Sequence, residues 1–415
     1  MSRSSILFAA GGSGGHLFPA IAVAEELHQW QSDLRIGIVA SEKEIDRSIL
    51  ARYPFERHHL ASVSPSRLLR QPWKVLSENW HAWQAARQLV REQSPAVVIG
   101  CGGFASAPLV FAAIRAGVPV VLLEQNLIPG RANVWLSRWA TKVCLSFEET
   151  LAWLPASVQR RAPDAVIVTG NPVRQSILSI TAPLTSSDSV RVSSREGEAP
   201  AESRQGENVF PTTRLSRSFA LPAECIPPRL PNQLLILGGS QGARHLNTAV
   251  ADWVSTRPAA LQGWTLIHQT GTADQQVIAG RYSRLADFMR AESVAFITDP
   301  SAYYRTATLV IARAGATSLA ELACLAAPTL LVPLPSAARD HQTANARWYS
   351  DRHAARVLTQ SATPHETALQ LDVATQKLLS DPVARQSLSD AVLQTARPLA
   401  AQSVATLVCG IALRP

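Results

Sequence analysis

The amino-acid sequence predicts an α/β protein built from two Rossmann-type, doubly wound domains that face a cleft. Three observations support this fold class. Short apolar, β-rich runs alternate with helix-length segments, as expected for parallel strands joined by crossover helices. This alternation occurs twice, on either side of a long polar stretch. The chain has 415 residues, which is too long for one ordinary core and suits two domains.

The predicted strands follow one another in two groups. In the first half we expect strands at 5–10, 35–40, 96–100, 118–122, 142–145 and 165–168. Apolar residues at helical spacing between Ala20 and Trp30 indicate the first crossover helix. In the second half we expect strands at 233–237, 265–268, 294–297, 308–311 and 328–332. The predicted domains are therefore residues 1–180 and 232–395, with a helix in 396–415 that returns to the first domain.

The stretch between the two halves, residues 183–231, has a different composition. It is rich in Ser, Pro, Arg and Glu and shows no apolar periodicity. Such a segment buries too little apolar surface to offset the entropy lost on ordering. We interpret it as a disordered linker insertion, with a regulatory tail as the alternative.

Composition restricts the class of protein. The formal net charge of +8 favours acidic partners, which include nucleic acid, anionic lipid and phosphorylated substrates. No run of eighteen apolar residues occurs, so no membrane span is predicted, and the apolar run at 6–10 is too short for a signal peptide. The five cysteines are scattered and lack CxxC spacing, which argues against a disulfide framework and a zinc site and favours the cytosol.

Four glycine-rich turns follow predicted strands, at 11–16, 100–108, 238–244 and 313–318. Glycine lets the backbone turn sharply and brings N–H groups and helix N-termini close to an anion. The first turn lacks the G-x-G-x-x-G spacing of a dinucleotide fingerprint. Because each half contributes two such turns, the sequence predicts a cleft that holds phosphate and sugar from both sides.

His16 directly follows the first glycine turn, where a ligand-facing helix is expected to begin. An imidazole accepts a proton near neutral pH, so His16 is our candidate general base. Two alternatives remain open: His16 caps the helix, or it donates to an anionic acceptor. Glu124 is a rival base that could instead orient Asn126.

Five motifs occur in a characteristic order: GGSGGH at 11–16, LLEQN at 122–126, GNPVR at 170–174, GGSQGAR at 238–244 and DHQTANA at 340–346. Together they resemble the MurG family of UDP-N-acetylglucosamine transferases over nearly the whole chain, apart from the linker. The resemblance implies a GT-B glycosyltransferase fold with no metal and no cofactor. It also implies inverting transfer of N-acetylglucosamine from UDP-N-acetylglucosamine to the 4-hydroxyl of N-acetylmuramic acid in undecaprenyl-linked lipid I, which forms lipid II.

The resemblance further implies the donor-binding residues, most of them in the second half. Ser240 and Gln241 would meet the pyrophosphate, and Ile297 would meet the uracil. The remaining implied contacts are the diphosphate for Ala316, Thr317 and Ser318, the ribose hydroxyls for Glu321, and the N-acetylglucosamine for Gln342. For Glu321 the alternative is a helix N-terminal acid that complements the helix dipole.

From the first half, the resemblance implies that four residues complete the sugar and acceptor side: Ser13, Gly14, Gly15 and Asn126. Arg174 would contribute from the edge of the linker. Since Arg174 follows Asn171 and Pro172, a local cap or ion pair is the alternative.

A tryptophan-rich stretch occupies residues 67–87. Trp73, Leu76, Trp80 and Trp83 recur at helical spacing after a proline, and Arg67, Arg70 and Lys74 lie near its start. Aromatic residues flanked by cations are typical of an interfacial anchor on anionic lipid. We therefore expect peripheral association with an anionic membrane surface, at the cytoplasmic face of the bacterial inner membrane, and no nucleic-acid partner. The alternative is a crossover helix that buries this stripe in the core.

Other functions remain open at this point. Within the same architecture they are another lipid glycosyltransferase, such as one acting on diacylglycerol, and a UDP-sugar epimerase. From other classes they are a nicotinamide-dependent oxidoreductase and a UDP-sugar-binding subunit without turnover. A nucleotide titration separates the oxidoreductase from the rest, and a turnover assay separates the silent binder.

Overall fold

The computed structural model describes residues 5–11, 14–60, 72–103, 105–162, 164–179, 232–238, 243–257, 261–297, 299–335 and 337–412. Two all-parallel sheets, each covered by helices on both faces, confirm the predicted pair of doubly wound domains. The insertion at 183–231 lies outside the described residues. Among the described residues, every helix is too short or too polar to span a lipid bilayer.

The first sheet has seven strands in the order β3-β2-β1-β4-β5-β6-β7. Its strands are β1 Ser5–Ala9, β2 Arg35–Ala40, β3 Glu56–His59, β4 Val97–Gly100, β5 Val120–Glu124, β6 Lys142–Leu145 and β7 Val166–Val168. The α-helices of this half are α1 Gly14–Trp30, α2 Glu44–Leu50, α3 Pro72–Gln93, α4 Ala107–Arg115, α5 Arg131–Leu136, α6 Ala156–Gln159 and α7 Gln175–Leu178. A 3₁₀ helix spans Glu148–Trp153.

The second sheet has six strands in the order β10-β9-β8-β11-β12-β13. Its strands are β8 Gln233–Leu237, β9 Thr265–Gln269, β10 Arg290–Val294, β11 Leu309–Ala312, β12 Thr329–Leu331 and β13 Arg356–Val357. The α-helices are α8 Arg244–Thr256, α9 Gln275–Tyr282, α10 Ser301–Thr306, α11 Ala316–Cys324, α12 His341–Asp351, α13 Pro364–Ser380, α14 Pro382–Leu393 and α15 Ala400–Ala412. Short 3₁₀ helices span Ser283–Leu285 and Ala338–Asp340.

Two strands were not predicted from the sequence, and a third was predicted at the wrong position. The edge strands β3 and β13 were not predicted, because β3 is polar and mostly exposed and β13 has only two residues. The strand expected at 294–297 lies earlier, at Arg290–Val294, and Ile297 follows it in a loop. This edge strand is only partly buried, and so it lacks the continuous apolar run of a central strand. The apolar run at 294–297, on which the prediction was based, lies mainly in the loop that follows the strand.

Each sheet reverses its strand order beside its first strand. In the first sheet the reversal lies between β1 and β4, and in the second between β8 and β11. Ligands of doubly wound sheets bind at this switch point, outside the carboxyl ends of the strands. The four glycine-rich turns of the sequence follow these four strands, so the fold brings them to one place.

Helices cover the two faces of the first sheet with different partners. On one face, α1 packs against α15, whose Val404, Ala405 and Val408 are fully buried in the core of this sheet. On the other face lie α3, α4 and α5, which bury residues such as Ala86 and Leu109. The last helix of the chain therefore completes the core of the first domain.

The connection between the halves packs the other way. Val173, just before α7, and Ile177, within it, are buried in the core of the second sheet together with residues of α11 and α14. The core of each domain thus includes a segment from outside the stretch of sequence that forms its strands: α15 in the first domain, and the segment around α7 in the second.

Candidate active site

A cavity of about 410 Å³ opens between the two sheets at their switch points. Every described residue that the sequence analysis assigned to substrate binding or catalysis lines it. These are, from the first half, Gly14, Gly15, His16, Asn126 and Arg174, and from the second half Ile297, Ala316, Thr317, Ser318, Glu321 and Gln342. Ser13, Ser240 and Gln241 lie outside the described residues.

Two helices of the second domain begin at this cavity without a side-chain cap. Helix α8 begins behind Ala243 and α11 behind Gly315, and both of these residues line the cavity. The first N–H groups of a helix lack intrahelical partners and carry a partial positive charge. The cavity wall therefore offers two neighbouring sites for the oxygens of an anion.

His16 lies in the first turn of α1 with one ring edge fixed. Its Nδ1 is 3.0 Å from the carbonyl oxygen of Cys101 and 3.2 Å from Oε1 of Gln125. Because a carbonyl oxygen only accepts, Nδ1 carries the proton and Nε2 holds the free electron pair. Burial lowers the pKa of His16, although the Glu124 carboxylate and the two hydrogen bonds oppose that shift. The ring is therefore a neutral acceptor at pH 7.

The glycines of the second turn allow this imidazole to approach the backbone. Gly103 adopts a φ of +77°, and a Cβ there would lie 2.8 Å from the Gly11 carbonyl oxygen and 2.9 Å from Cδ2 of His16. Gly102, with a φ of +86°, lies against the other side of the ring. Larger residues at either position would displace His16.

Glu124 is buried, and its carboxylate accepts hydrogen bonds from the loop that follows β5. Its oxygens accept from the backbone N–H groups of Asn126 and Gly130, each at 3.0 Å, and from Nδ2 of Asn133 at 2.9 Å. Glu124 does not line the cavity among the described residues, whereas Asn126 does. This geometry suits the orienting role that the sequence analysis kept as an alternative.

Arg174 and Glu321 form a buried ion pair between the two halves. The guanidinium donates to Oε1 of Glu321 from Nε at 3.0 Å and from Nη2 at 2.7 Å, and both side chains are less than 5% exposed. The ring of Phe18 stacks on the guanidinium at 3.9 Å. Burial opposes the charged form of Arg174, but the Glu321 carboxylate prevails and raises the pKa of Arg174. Glu321, which we predicted to bind the ribose hydroxyls, is thus held by Arg174, which we predicted to contribute from the edge of the linker.

Two more contacts join the halves across the cavity. The Thr317 hydroxyl donates to the Gly15 carbonyl oxygen at 2.7 Å. Asn345 in α12 is fully buried; its Oδ1 accepts from Leu127 N–H at 3.0 Å, and its Nδ2 donates to Asn126 Oδ1 at 3.1 Å and Ala314 O at 3.2 Å. One amide therefore connects the motifs at 122–126, 313–318 and 340–346.

Gln125, Arg313 and Asn345 lie within motifs recognised in the sequence, but they were not predicted as site residues. Gln125 and Arg313 also line the cavity, and both are buried. Their positions inside the LLEQN and DHQTANA motifs and the fourth glycine turn were the available signal. No group of three His, Cys, Asp or Glu side chains in the described ranges converges as metal ligands would.

The tryptophan-rich helix α3 divides its stripe between solvent and core. Trp73 is 82% and Trp80 55% exposed, whereas Trp83 is partly buried against the core and contacts Trp80. The side chain of Leu76 lies outside the described residues. Trp135 and Trp139, which were not predicted, are half exposed and contact each other on and just after α5, over the same face of the sheet.

Comparison with known proteins gives a consistent set of relatives. The models of the glycosyltransferase family 28 N-terminal and C-terminal domains match residues 6–145 and 233–404. The UDP-N-acetylglucosamine–N-acetylmuramyl-(pentapeptide) pyrophosphoryl-undecaprenol N-acetylglucosamine transferase of Syntrophotalea carbinolica is 34% identical over 368 residues, 88% of each chain. The enzyme of the same name from Geobacter sulfurreducens is 31% identical over 402 residues, 96% of each chain.

Solved structures point the same way. The crystal structure of Acinetobacter baumannii MurG matches 98% of this chain and 100% of its own, with a TM-score of 0.63 and 25% identity. The S. aureus MnaA–UDP structure matches 97% of this chain and 95% of its own with a TM-score of 0.62, but at 11% identity this likeness concerns the fold alone.

Proposed function

This chain belongs to glycosyltransferase family 28, and on that premise we propose how its cleft binds two substrates and transfers a sugar between them. The reaction is the transfer of N-acetylglucosamine from UDP-N-acetylglucosamine to the N-acetylmuramic acid of lipid I, which yields lipid II. One observation carries the proposal for the site: all described candidate residues, drawn from both domains, line a single cavity between two switch points.

The donor is assigned to the second domain. In this proposal the diphosphate lies at the uncapped N-termini of α8 and α11, where Thr317 and Ser318 supply hydroxyls. As the glycosidic bond breaks, negative charge grows on the leaving UDP, and fixed N–H dipoles stabilise that charge without rearranging. Ser240 and Gln241 belong to the same donor set by sequence.

The rest of the donor follows from this placement. Ile297 is assigned to the uracil, and its N–H is fixed by Gln269 at 3.0 Å. Glu321 is assigned to the ribose hydroxyls, with one oxygen already held by Arg174. Gln342, whose Oε1 accepts from Leu334 N–H at 3.0 Å, is assigned to the N-acetylglucosamine.

The acceptor is assigned to the first domain, with His16 as general base. The acceptor's 4-hydroxyl attacks the anomeric carbon from the side opposite UDP, its proton passes to Nε2 of His16, and the α-linkage becomes β. The Nδ1 hydrogen bonds keep Nε2 free for that proton. Gly14, Gly15 and Asn126 complete this side of the cavity.

The decisive experiment measures release of UDP from UDP-N-acetylglucosamine with and without lipid I. Release that depends on lipid I supports the transferase. UDP-sugar binding without release in either condition would instead describe a silent binder, and loss of the sugar's C2 configuration without lipid I would describe an epimerase.

The variant His16→Ala tests the base. We expect kcat to fall about 10²–10⁴-fold with little change in the donor KM, the typical effect of losing a general base. A raised acceptor KM with nearly normal kcat would show that His16 binds the acceptor instead. Lower stability with unchanged kinetics would show that His16 serves only as a helix cap.

We also propose that the chain binds an anionic membrane surface peripherally, at the cytoplasmic face of the inner membrane. The exposed Trp73 and Trp80 lie on α3, and Trp135 and Trp139 lie on and just after α5, over the same face of the first sheet. Tryptophan partitions to the lipid–water boundary, and the net charge of +8 favours anionic lipid.

A further inference from the structure

The hydroxyl of Tyr304 is a buried polar group to which the proposed reaction gives no role. Tyr304 lies on α10, is only 4% exposed and packs in the core of the second sheet, and it also lines the cavity. A phenylalanine ring would fill the same apolar space. Because burying a hydroxyl is unfavourable unless it is hydrogen-bonded, the partners of this hydroxyl have to account for it.

The partners of Tyr304 connect it to the buried ion pair. Its hydroxyl donates to the carboxylate of Glu321, and the hydroxyl of Ser318 donates to the phenol oxygen. Burial raises the pKa of Tyr304, and the negative charge of Glu321 adds to that shift. The phenol therefore keeps its proton at neutral pH and is a permanent donor to Glu321.

Glu321 is thus held by two side chains of different origin. Arg174 donates to Oε1 from the connection between the halves, 147 positions away in the sequence. Tyr304 belongs to the same domain as Glu321 and reaches it from α10. A glutamate side chain has several rotatable bonds, and donors on two separate elements restrict the plane of its carboxylate. Arg174 supplies the opposite charge, and Tyr304 supplies a second direction.

We propose that Tyr304 is a positioning residue, which holds the Glu321 carboxylate in the orientation that accepts hydrogen bonds from both ribose hydroxyls of the donor nucleotide. This inference rests on the proposed assignment of Glu321 to the ribose. Tyr304 acts through Glu321 and touches no reacting atom. A site built in this way rejects a nucleotide without ribose hydroxyls, since the oriented carboxylate is then left without those donors.

Calorimetry with two probes, UDP and 2′,3′-dideoxy-UDP, tests the inference. The probes share the base and the diphosphate and differ only in the ribose hydroxyls. We expect the unaltered protein to bind UDP at least about tenfold more tightly, the scale of hydrogen bonds to a charged group. In Tyr304→Phe the affinity for UDP should fall about fivefold to tenfold, and that for dideoxy-UDP should stay within about twofold.

Tyr282→Phe is the matched control. Tyr282 is as deeply buried in the same domain, and its hydroxyl bonds to Nδ1 of His268 at 2.7 Å, at a place that does not line the cavity. Losing this hydroxyl should lower the free energy of unfolding and leave the ratio of the two affinities unchanged. The ratio therefore separates positioning of the carboxylate from a general loss of stability.

A second measurement keeps the hydroxyl and so serves if Tyr304→Phe does not fold. With 3-fluorotyrosine placed at position 304, a single fluorine resonance reports on the phenol beside Glu321. We expect UDP to shift this resonance more than dideoxy-UDP does, because only the ribose hydroxyls compete for the carboxylate to which the phenol donates.

Three results would overturn the inference. They are an unchanged ratio of affinities in folded Tyr304→Phe, an equal loss of affinity for both probes, and equal fluorine shifts with both probes. Failure of the underlying assignments looks different. If the unaltered protein binds both probes equally, Glu321 does not bind the ribose, and if it binds neither, the proposed donor site itself fails.

Discussion

The two ring nitrogens of His16 have different surroundings, and this difference determines what the residue can do. Nδ1 is held by Cys101 and Gln125, which themselves interact, since Gln125 Nε2 donates to the same Cys101 carbonyl at 2.9 Å. Gln125 is buried and is the first residue after β5. A base whose tautomer is fixed in this way needs no rearrangement when the reaction begins.

The first prediction concerns the pH dependence of this base. Because burial lowers the pKa of His16, the imidazole is unprotonated at neutral pH, and kcat/KM should fall only when the pH drops through that lowered pKa. Gln125→Glu adds a negative charge beside Nδ1 and stabilises the imidazolium. We expect the acid limb of the pH–rate profile to move to higher pH.

The control variant is Gln125→Met, which removes a hydrogen bond that raises the pKa of His16. Its acid limb should move in the opposite direction. If both variants shift the profile the same way, or neither does, Gln125 does not set the pKa of His16 through its charge and hydrogen bond.

The second prediction concerns the buried pair of Arg174 and Glu321. Glu321→Ala leaves the guanidinium buried without its carboxylate, so we expect the free energy of unfolding to fall by about 3 kcal/mol. Donor affinity should also weaken, by roughly 1–3 kcal/mol, if Glu321 binds the ribose. Denaturant unfolding and calorimetry measure the two effects separately.

The double variant Arg174→Met with Glu321→Leu separates the two roles. Replacing both charges by apolar groups should restore much of the stability, whereas donor affinity should stay weak. Recovery of donor affinity in this variant would argue that Glu321 serves the fold alone.

At the scale of elements, aromatic residues that belong to the same sequence pattern on α3 differ in their burial. Trp80 and Trp83 share one helical stripe, but only Trp83 packs against the core. Periodicity predicted the stripe without predicting how deeply its members are buried, because burial depends on the neighbouring α4, which packs against α3.

The third prediction follows from that separation. The double variant Trp73→Ser with Trp80→Ser should bind anionic vesicles more weakly and keep its melting temperature, because both rings are largely exposed. Trp83→Ser should instead lower the free energy of unfolding by about 1–3 kcal/mol, through lost apolar burial. Vesicle sedimentation and thermal unfolding provide the two readouts.

Trp30 offers a matched control for the vesicle experiment. It is 38% exposed at the end of α1, and α1 covers the opposite face of the first sheet. Trp30→Ser should leave vesicle binding unchanged. An equal loss in both variants would mean that vesicle binding is not confined to the face covered by α3.

The predictability of individual elements follows their burial. Central strands such as β1 and β8 are buried along their whole length, so continuous apolar runs reveal them. The edge strand β3 has no such run, and β10 is only partly buried. The candidate site was largely predictable because glycine turns mark the switch points. The partners of Arg174 and Asn345 were not, since contacts between residues 147 and 219 positions apart leave no local pattern.

At the scale of the whole molecule, Asn345 is one of several polar links between the two domains, beside the Arg174–Glu321 pair and the Thr317–Gly15 hydrogen bond. All of its described hydrogen bonds end on the loop behind β5 or on the turn behind β11. A motif in the second half therefore fixes the loop that carries Asn126 in the first.

The fourth prediction removes this link. Asn345→Ala leaves buried groups on both domains without partners, each worth about 1–3 kcal/mol, so we expect a lower melting temperature and a wider cleft in small-angle scattering. Thr375→Val is the control, because the Thr375 hydroxyl is equally buried but bonds only within α13. It should affect stability without changing the scattering curve. A cleft of unaltered width in Asn345→Ala would show that the remaining contacts between the domains set their distance without Asn345.

The return of α15 to the first domain has a consequence for the order in which the protein acquires its structure during synthesis. The ribosome releases β1 to β7 long before it makes residues 400–412, so until then α1 lacks the helix that contributes Ala401, Val404 and Val408 to their shared core. A nascent chain stalled before α15 would expose an apolar groove on an otherwise folded first half, and such surfaces attract chaperones and aggregate. The core of the first domain is therefore completed only when the last helix has been made.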